Sequence, residues 1–423
     1  MKLLVDRTEE LSGKIGIPAS KSHTVRAVVI ASLADGTSKL IDPLISEDTM
    51  AAVNAATNLG AGIEIKGDEW IIEGFAGSPK QPKGPINFEN SGTSSRLMMS
   101  VIALGDLDVT IDGDDSLRKR PMSPLIDSLV DLGASVKSLN GDGCMPINIS
   151  GRIKGGKTEI ECKSSQYLSS LLISCPLAEG DTDIRVKDLH ERPYVEITLE
   201  WLDKEGIKYE NDDFRHFRVQ GNQKYVSFER KIPGDWSSAT FPLCAAAMMG
   251  SDVVLNGVDM NDSQGDREVV EMLKKMGADI TVLDGGLQVR GSELKGREFD
   301  MGNTPDALPA MAVVGCFADG TTHLLNVSQA RIKETDRITI MTEELKKMGA
   351  DIEELEDGLI VKNSKLYGAK VRGHNDHRIV MALSLAGLIS EGQTEIDTAE
   401  STDVTFPGYV EVMQNIKANM RLV

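Results

Sequence analysis

The sequence predicts an α/β protein of two domains, each made of three copies of a strand–helix–strand–helix–hairpin unit. Two in-phase glycine series and a set of polar helix starts carry that prediction. The first series follows apolar helix-like stretches and precedes alternating strand-like ones: Gly36, Gly105, Gly180, Gly250, Gly320 and Gly392 are 69, 75, 70, 70 and 72 residues apart. The second closes helices that lead into hairpins, as in NLGAGIEIKGDEWIIEG and KMGADITVLDGGLQVRG. Its members Gly60, Gly133, Gly206, Gly277 and Gly349 are 73, 73, 71 and 72 apart. Glycine suits both places because a helix that must turn sharply into a strand often ends on a left-handed residue. A period near 72 residues exceeds the roughly 20–50 of solenoid repeats, so six βαβαββ units grouped as two threes are expected.

In order along the chain, each unit opens a helix with polar residues: Ser20-Lys21-Ser22, Ser91-Gly92-Thr93, Ser164-Ser165-Gln166, Asp235-Trp236-Ser237-Ser238, Thr304-Pro305-Asp306 and Asp376-His377-Arg378. These are good capping residues. The sixth unit keeps its helix (EVMQNIKANMRLV) but lacks a hairpin, and a strand from Lys2 to Asp6 could complete it. Pro and Gly in KIPGDWSSATF (231–241) mark a crossover between units three and four.

Helix starts expose unpaired N–H groups and a partial positive charge, which makes each a potential anion site. An ordinary first turn favours Asp and Glu, yet cations cluster here: Lys21 and Arg26, Arg96, Arg378, and at the second helices Arg118, Lys119 and Arg120, Arg192, and Arg331, Lys333 and Arg337. The pattern points to a small polyanion. In RIKETDR (331–337), Glu334 and Arg337 are placed on one helix face, with Lys333 and Arg337 one turn apart. A carboxylate there could exchange a proton beside a bound anion.

Composition narrows the rest. The 423 residues exceed what one core fills, and a formal charge of −19 opposes nucleic-acid binding. Cys144, Cys162, Cys175, Cys244 and Cys316 show no CxxC spacing, so neither a zinc site nor a disulfide framework is expected and a reducing cytoplasm fits. No stretch approaches the roughly 20 apolar residues of a membrane span, and the N-terminus has no signal-peptide core. Gly151 to Thr158 matches the P-loop in letters, but TEIEC after it alternates like a strand where a P-loop needs a helix. His374 and His377 have no third metal ligand nearby, and no GxSxG elbow or dinucleotide fingerprint is present.

The segments ASKSHTVRA (19–27), NSGTSSR (90–96), RKRPM (118–122), SSQYLSSLL (164–172), PDAL (305–308), KETDR (333–337), NDHR (375–378) and TFPGY (405–409) together resemble the 5-enolpyruvylshikimate-3-phosphate synthase family of enolpyruvyl transferases from end to end. The related sugar-nucleotide (UDP-N-acetylglucosamine) enolpyruvyl transferases usually carry a cysteine in a loop that reads GDDSLRKRP (113–121) here. A non-catalytic anion-binding protein of the same fold is the alternative from another class.

The resemblance implies a two-domain inside-out α/β barrel, with residues 18–233 forming one domain, 1–17 and 234–423 the other, and the active site in the cleft between them. For shikimate 3-phosphate it implies Lys21, Ser22, Arg26, Ser164, Ser165, Gln166, Tyr194, Asp306, Gln329 and Lys333. For phosphoenolpyruvate it implies Lys21, Gly92, Arg120, Gln166, Arg337 and Arg378, with Asn90, Thr93, Glu191 and His377 as further contacts. Asp306, Glu334 and Lys21 are the implied catalytic groups. No metal or cofactor is implied, and a cytoplasmic monomer acting on two small molecules is expected. Three positions depart from the family pattern: Glu191 stands where a serine is frequent and is expected to turn toward Arg192; Gln329 replaces an asparagine; Val404 replaces a lysine, which implies weaker phosphoenolpyruvate binding.

Overall fold

A computed structural model describes residues 1–423. The chain folds into two compact units, Ala19–Ile232 and the discontinuous pair Met1–Pro18 with Pro233–Val423. The two passages between them are local neighbours within the discontinuous unit, since the Asp235 N–H donates to the Pro18 carbonyl at 2.8 Å.

Each unit holds three four-stranded sheets, and every sheet has the same strand arrangement: a parallel pair, then two further strands in antiparallel order. Ile86–Asn87, Asp108–Asp112, Ile147–Ser150 and Ser135–Ser138 make one of them in that spatial order. The βαβαββ arrangement recurs in all six copies, although three of them take a strand from a distant part of the chain. In the central unit the first copy takes its leading strand from Glu229–Lys231, which runs parallel to Thr37–Ile41. In the discontinuous unit the fourth copy takes it from Glu10–Gly16, parallel to Gly250–Asn256. The sixth copy is completed by Leu3–Val5, which lies between Thr394–Ile396 and Met420–Leu422. The N-terminus thus supplies the missing hairpin strand, and the chain end keeps the other.

Twelve α-helices alternate in burial. Those of the first kind are α1 (Lys21–Leu33), α3 (Gly92–Ile102), α5 (Ser165–Ser174), α7 (Trp236–Met248), α9 (Leu308–Phe317) and α11 (His377–Ile389). They are buried on nearly every face, as helices apolar or small all round should be. The second kind are α2 (Glu47–Asn58), α4 (Ser123–Asp131), α6 (Arg192–Lys204), α8 (Glu268–Met276), α10 (Arg337–Lys347) and α12 (Tyr409–Asn415). They keep one polar face. Each unit has its own apolar core.

The second glycine series behaves as expected, with φ of 106°, 108°, 68°, 113° and 96°. The first does so only at Gly36, Gly320 and Gly392. Gly250 is already in a strand, and Gly105 and Gly180 need no left-handed backbone. The periodicity was real, but its physical cause differs between copies. Strand Gly156–Cys162 begins inside the P-loop look-alike and continues past it, so no helix is present there to cradle a phosphate.

Candidate active site

Five of the six inner helices start where the polar residues predict, with Ser20, Ser91, Ser164, Asp235 and Asp376 as side-chain caps. At the remaining start, Pro305–Ala307 forms a single 3-10 turn ahead of α9.

In the central unit, Lys21 at the first position of α1 pairs with Asp48 at 2.8 Å. Asp48 belongs to the capped first turn of α2, and its carbonyl accepts from Ser94 Oγ at 2.7 Å, so the lysine is oriented by two neighbouring helices. Gly92 lies under two guanidinium groups: a Cβ there would stand 2.9 Å from Arg120 Nη1 and 3.2 Å from Arg96 Nη1. Arg96 donates to Gln166 Oε1 at 2.6 Å, and Gln166 Nε2 donates to Thr93 Oγ1 at 3.0 Å. These bonds fix the amide orientation of Gln166.

Arg120 is 7% exposed and bonds only neutral acceptors, Asn90 Oδ1 at 2.7 Å, the Asn90 carbonyl and Ser116 Oγ. Its Nε meets no partner. A buried cation with no carboxylate beside it is costly unless an anion compensates it. Asn90 is itself held by Asp114 at 2.7 Å.

Arg26 is fully buried and donates to Thr198 Oγ1, the Ser22 and Tyr194 carbonyls and Ser169 Oγ. Burial lowers its pKa to about 10. It ties α1 to α5 and α6, and of its five N–H groups one on Nη1 is left over. Ser165 Oγ donates to Glu191 Oε2 at 3.0 Å, while Arg192 pairs with Glu196 and Asp213. The expected turn of Glu191 toward Arg192 therefore gives way to a bond from Ser165, set by the left-handed backbone at Glu191, φ 58°.

In the discontinuous unit, the helix-face argument for RIKETDR fails: α10 begins only at Arg337, capped by Asp336. The contact it implied nevertheless exists, with Arg337 Nη2 donating to Glu334 at 2.6 Å. Arg337, 1% exposed, also donates to Asp306 at 2.7 Å and through two nitrogens to Asp376 at 2.9 and 3.1 Å. It is a hub for three carboxylates, and Nη1 keeps a single N–H for anything else. Arg331 is occupied by Asp336 and Glu354.

Burial would raise the pKa of Asp306, but Lys333, Arg337 and Arg378 override it and hold the carboxylate ionised well below its usual range. His377 is buried and beside Arg378, which pushes it down to about 3. It is therefore uncharged at pH 7, and its buried Nδ1 has no partner. Arg378 is 2% exposed, stands 3.8 Å from Asp306, and lies against the Phe241 ring. Its Nε and Nη1 have no partner. Gln329 donates to the Gly302 carbonyl at 2.8 Å, leaving its buried Oε1 unpartnered. Val404 closes a short 3-10 turn.

Asp48 and Asp376 were missed as members of these clusters, Asp376 having been read only as a cap. In the sequence Asp48 and Asp376 look like ordinary first-turn and capping acids. Only the pairing of Asp48 with Lys21 and of Asp376 with Arg337 shows otherwise. No group of His, Cys, Asp and Glu with metal-holding geometry is present.

The repeat topology and the buried cations at helix starts define the two-domain enolpyruvyl transferase fold, as the solved structures it matches bear out. An EPSP synthase from Acinetobacter baumannii superposes with a TM-score of 0.85 at 30% identity over 99% of both chains. The family model for EPSP synthase (3-phosphoshikimate 1-carboxyvinyltransferase) matches residues 5–413. Proteins named 3-phosphoshikimate 1-carboxyvinyltransferase from Acetivibrio thermocellus and Ruminiclostridium cellulolyticum are 51% and 47% identical, over 99% and 98% of both chains. The chain belongs to the EPSP synthase family.

Proposed function

We propose that the protein transfers the enolpyruvyl group of phosphoenolpyruvate to the 5-hydroxyl of shikimate 3-phosphate and releases phosphate, the chemistry for which its relatives are named. The observation that carries the site assignment is the pair of buried guanidinium groups with unpartnered nitrogens, Arg120 and Arg378. Planar guanidinium forks suit the carboxylate and phosphate of phosphoenolpyruvate, and Gly92, Gln166, Lys21 and the last N–H of Arg337 complete that subsite. Ser22, Ser164, Ser165, Gln166, Tyr194, Lys333 and the spare Arg26 N–H are assigned to shikimate 3-phosphate, with Gln329 and Asp306 on its ring. That residues of both units serve one reaction is part of this proposal, as are a cytoplasmic location and a monomeric state. No helix is long and apolar enough to cross a membrane.

The reaction proceeds by addition and elimination. A proton adds to the methylene carbon of phosphoenolpyruvate, the 5-oxygen attacks the cationic carbon, and its proton goes to Asp306. The tetrahedral adduct then expels phosphate toward Lys21 and returns the added proton to the protein as the vinyl group re-forms. Glu334 is the group assigned to the carbon proton. It accepts from Arg337 in the free protein, so it must carry a proton and release that bond before it can act. Preformed cations stabilise the charge of the leaving phosphate, so the chemistry asks for no further group.

The test is phosphate release from phosphoenolpyruvate with shikimate 3-phosphate and with UDP-N-acetylglucosamine in parallel. Release with the first alone supports the assignment; release with the second alone, or with neither, overturns it. Glu334→Gln is expected to lower kcat by about 10²–10⁴, the usual worth of a general acid, with shikimate 3-phosphate binding retained in calorimetry. Near-normal turnover removes Glu334 from the acid role.

Gly92→Ala is expected to raise KM for phosphoenolpyruvate about tenfold, or 1.4 kcal/mol. The added methyl must displace the ends of Arg120 and Arg96, which are flexible enough to spare the fold. An unchanged KM would show that neither guanidinium touches that substrate.

A further inference from the structure

His374 finds no metal-ligating companions in the sequence, but in the structure it meets a buried acid. Its Nε2 lies 2.9 Å from Glu344 Oε1, and Glu344 Oε2 accepts from the Arg372 N–H at 3.0 Å. Lys347 Nζ donates to both carboxylate oxygens at 2.7 Å. Glu344 is 1% exposed, and a charge so placed is tolerated only when donors satisfy it. It stands on α10, about two turns after Arg337 and on the same face. The two side chains hold one short segment at its two ends: Glu344 takes Arg372 and His374, and Arg337 takes the Asp376 carboxylate at 2.9 and 3.1 Å. That segment is the approach to α11, whose first turn carries Arg378.

The approach is not relaxed backbone. His374 and Asn375 both have left-handed φ, 54° and 55°, a conformation that residues with side chains rarely adopt and keep only where the surroundings impose it. The Gly373 N–H donates to Asp397 Oδ1 at 2.7 Å and the Asn375 N–H to Thr398 Oγ1 at 3.1 Å. Both acceptors are partly exposed. Glu344 is the buried one, and it is also the one that holds a side chain of the strained pair. The segment lies tight against the helix it leads into, since a Cβ on Gly373 would stand 2.3 Å from Val380 Cγ2. A shift of the approach therefore moves the start of α11 with it.

We infer that Glu344 is a positioning residue for the phosphoenolpyruvate site: through Arg372 and His374 it holds the strained approach to α11 and so fixes where Arg378 stands. The inference rests on the assignment of Arg378 to phosphoenolpyruvate. Without the clamp, His374 and Asn375 relax toward ordinary backbone and the first turn of α11 turns with them. The Arg378 guanidinium, whose Nε and Nη1 have no partner to hold them back, follows that turn. The serines assigned to shikimate 3-phosphate, Ser22, Ser164 and Ser165, belong to the central unit and do not depend on this approach.

The experiment measures kcat and both KM values, with thermal melts, in Glu344→Ala, Glu344→Gln and His374→Ala. Glu344→Ala is expected to raise KM for phosphoenolpyruvate about tenfold and to leave kcat and KM for shikimate 3-phosphate nearly unchanged, because a contact made equally in the ground and transition states acts on KM alone. Glutamine can keep both bonds to the approach, its oxygen accepting from Arg372 and its amide donating to a neutral His374, so Glu344→Gln is expected to restore KM close to wild type. A residue serving only the fold would lower Tm and leave both KM values where they were. That result overturns the inference, as does a rise shared equally by the two substrates or a glutamine variant as impaired as the alanine one. If Glu344→Ala does not fold, His374→Ala decides: its side chain is 19% exposed, and a rise in KM for phosphoenolpyruvate alone supports the inference while no rise overturns it. Arg378→Lys separates the two levels. An unchanged KM there sinks the assignment of Arg378, whereas a large rise there with an unchanged KM in Glu344→Ala sinks this inference alone.

Discussion

Asp306→Asn is expected to lower kcat by about 10²–10⁴ with KM for shikimate 3-phosphate changed only a few-fold. The amide keeps the shape of the side chain and an oxygen to accept from Arg337, which also retains Asp376 and Glu334. What it loses is the charge that three cations hold in place. A base that must take the hydroxyl proton as the oxygen attacks cannot be replaced by a neutral group. The sign for stability is modest and can be worked out. A carboxyl with a depressed folded pKa stabilises the native state at every pH above its unfolded value, near 4, and loses that contribution only as pH falls through the folded pKa. The melting difference between Asp306→Asn and wild type is therefore expected to be constant from pH 8 to pH 5.5. Steady-state kinetics and thermal unfolding decide the matter, and a kcat within threefold of wild type excludes Asp306 as the base.

Arg337→Met is expected to cost about 3–5 kcal/mol, the range for removing one partner from a buried charge network. Asp376 has no exposed side-chain surface and would lose its bidentate cation while still capping α11. For a unit of this size each kcal/mol shifts Tm by roughly 2–4 °C, so a fall of about 6–20 °C is anticipated at pH 8. Without the guanidinium Asp306 also loses one of the three cations that hold its carboxylate ionised. Circular dichroism melts test this, and an equal Tm for variant and wild type would show that Arg337 is not the hub of the network. The resemblance implies Arg337 as a phosphoenolpyruvate contact, and in the structure its bonds run mostly to the carboxylates of Asp306, Glu334 and Asp376.

The helix starts were readable because capping is local: Ser20, Ser91, Ser164, Asp235 and Asp376 act on N–H groups two or three residues away, so sequence neighbours suffice. The contact between Glu334 and Arg337 was anticipated for a mistaken reason. KETD is not helical, because the Asp336 cap begins the helix one residue before Arg337, and the two side chains meet across a bend. Arg26 reads in the sequence only as a cation following a helix start, and its partners Thr198, Tyr194 and Ser169 lie far along the chain. The strand exchange at Glu10–Gly16 and Glu229–Lys231 was not legible either, since their partners Gly250–Asn256 and Lys39–Ile41 lie far along the chain.

By itself the sequence determined the six repeats, their helix starts and the concentration of cations there, because period, capping and backbone turns are properties of short stretches. Tertiary structure alone decided which cations find acceptors within the protein and which keep unpartnered nitrogens. Arg26, Arg331 and Arg337 find acceptors within the protein, while Arg120 and Arg378 retain unpartnered nitrogens at helix starts. The physical reason is that a buried charge takes its energy and its pKa from every group that packs against it, and those groups come from helices separated by tens of residues.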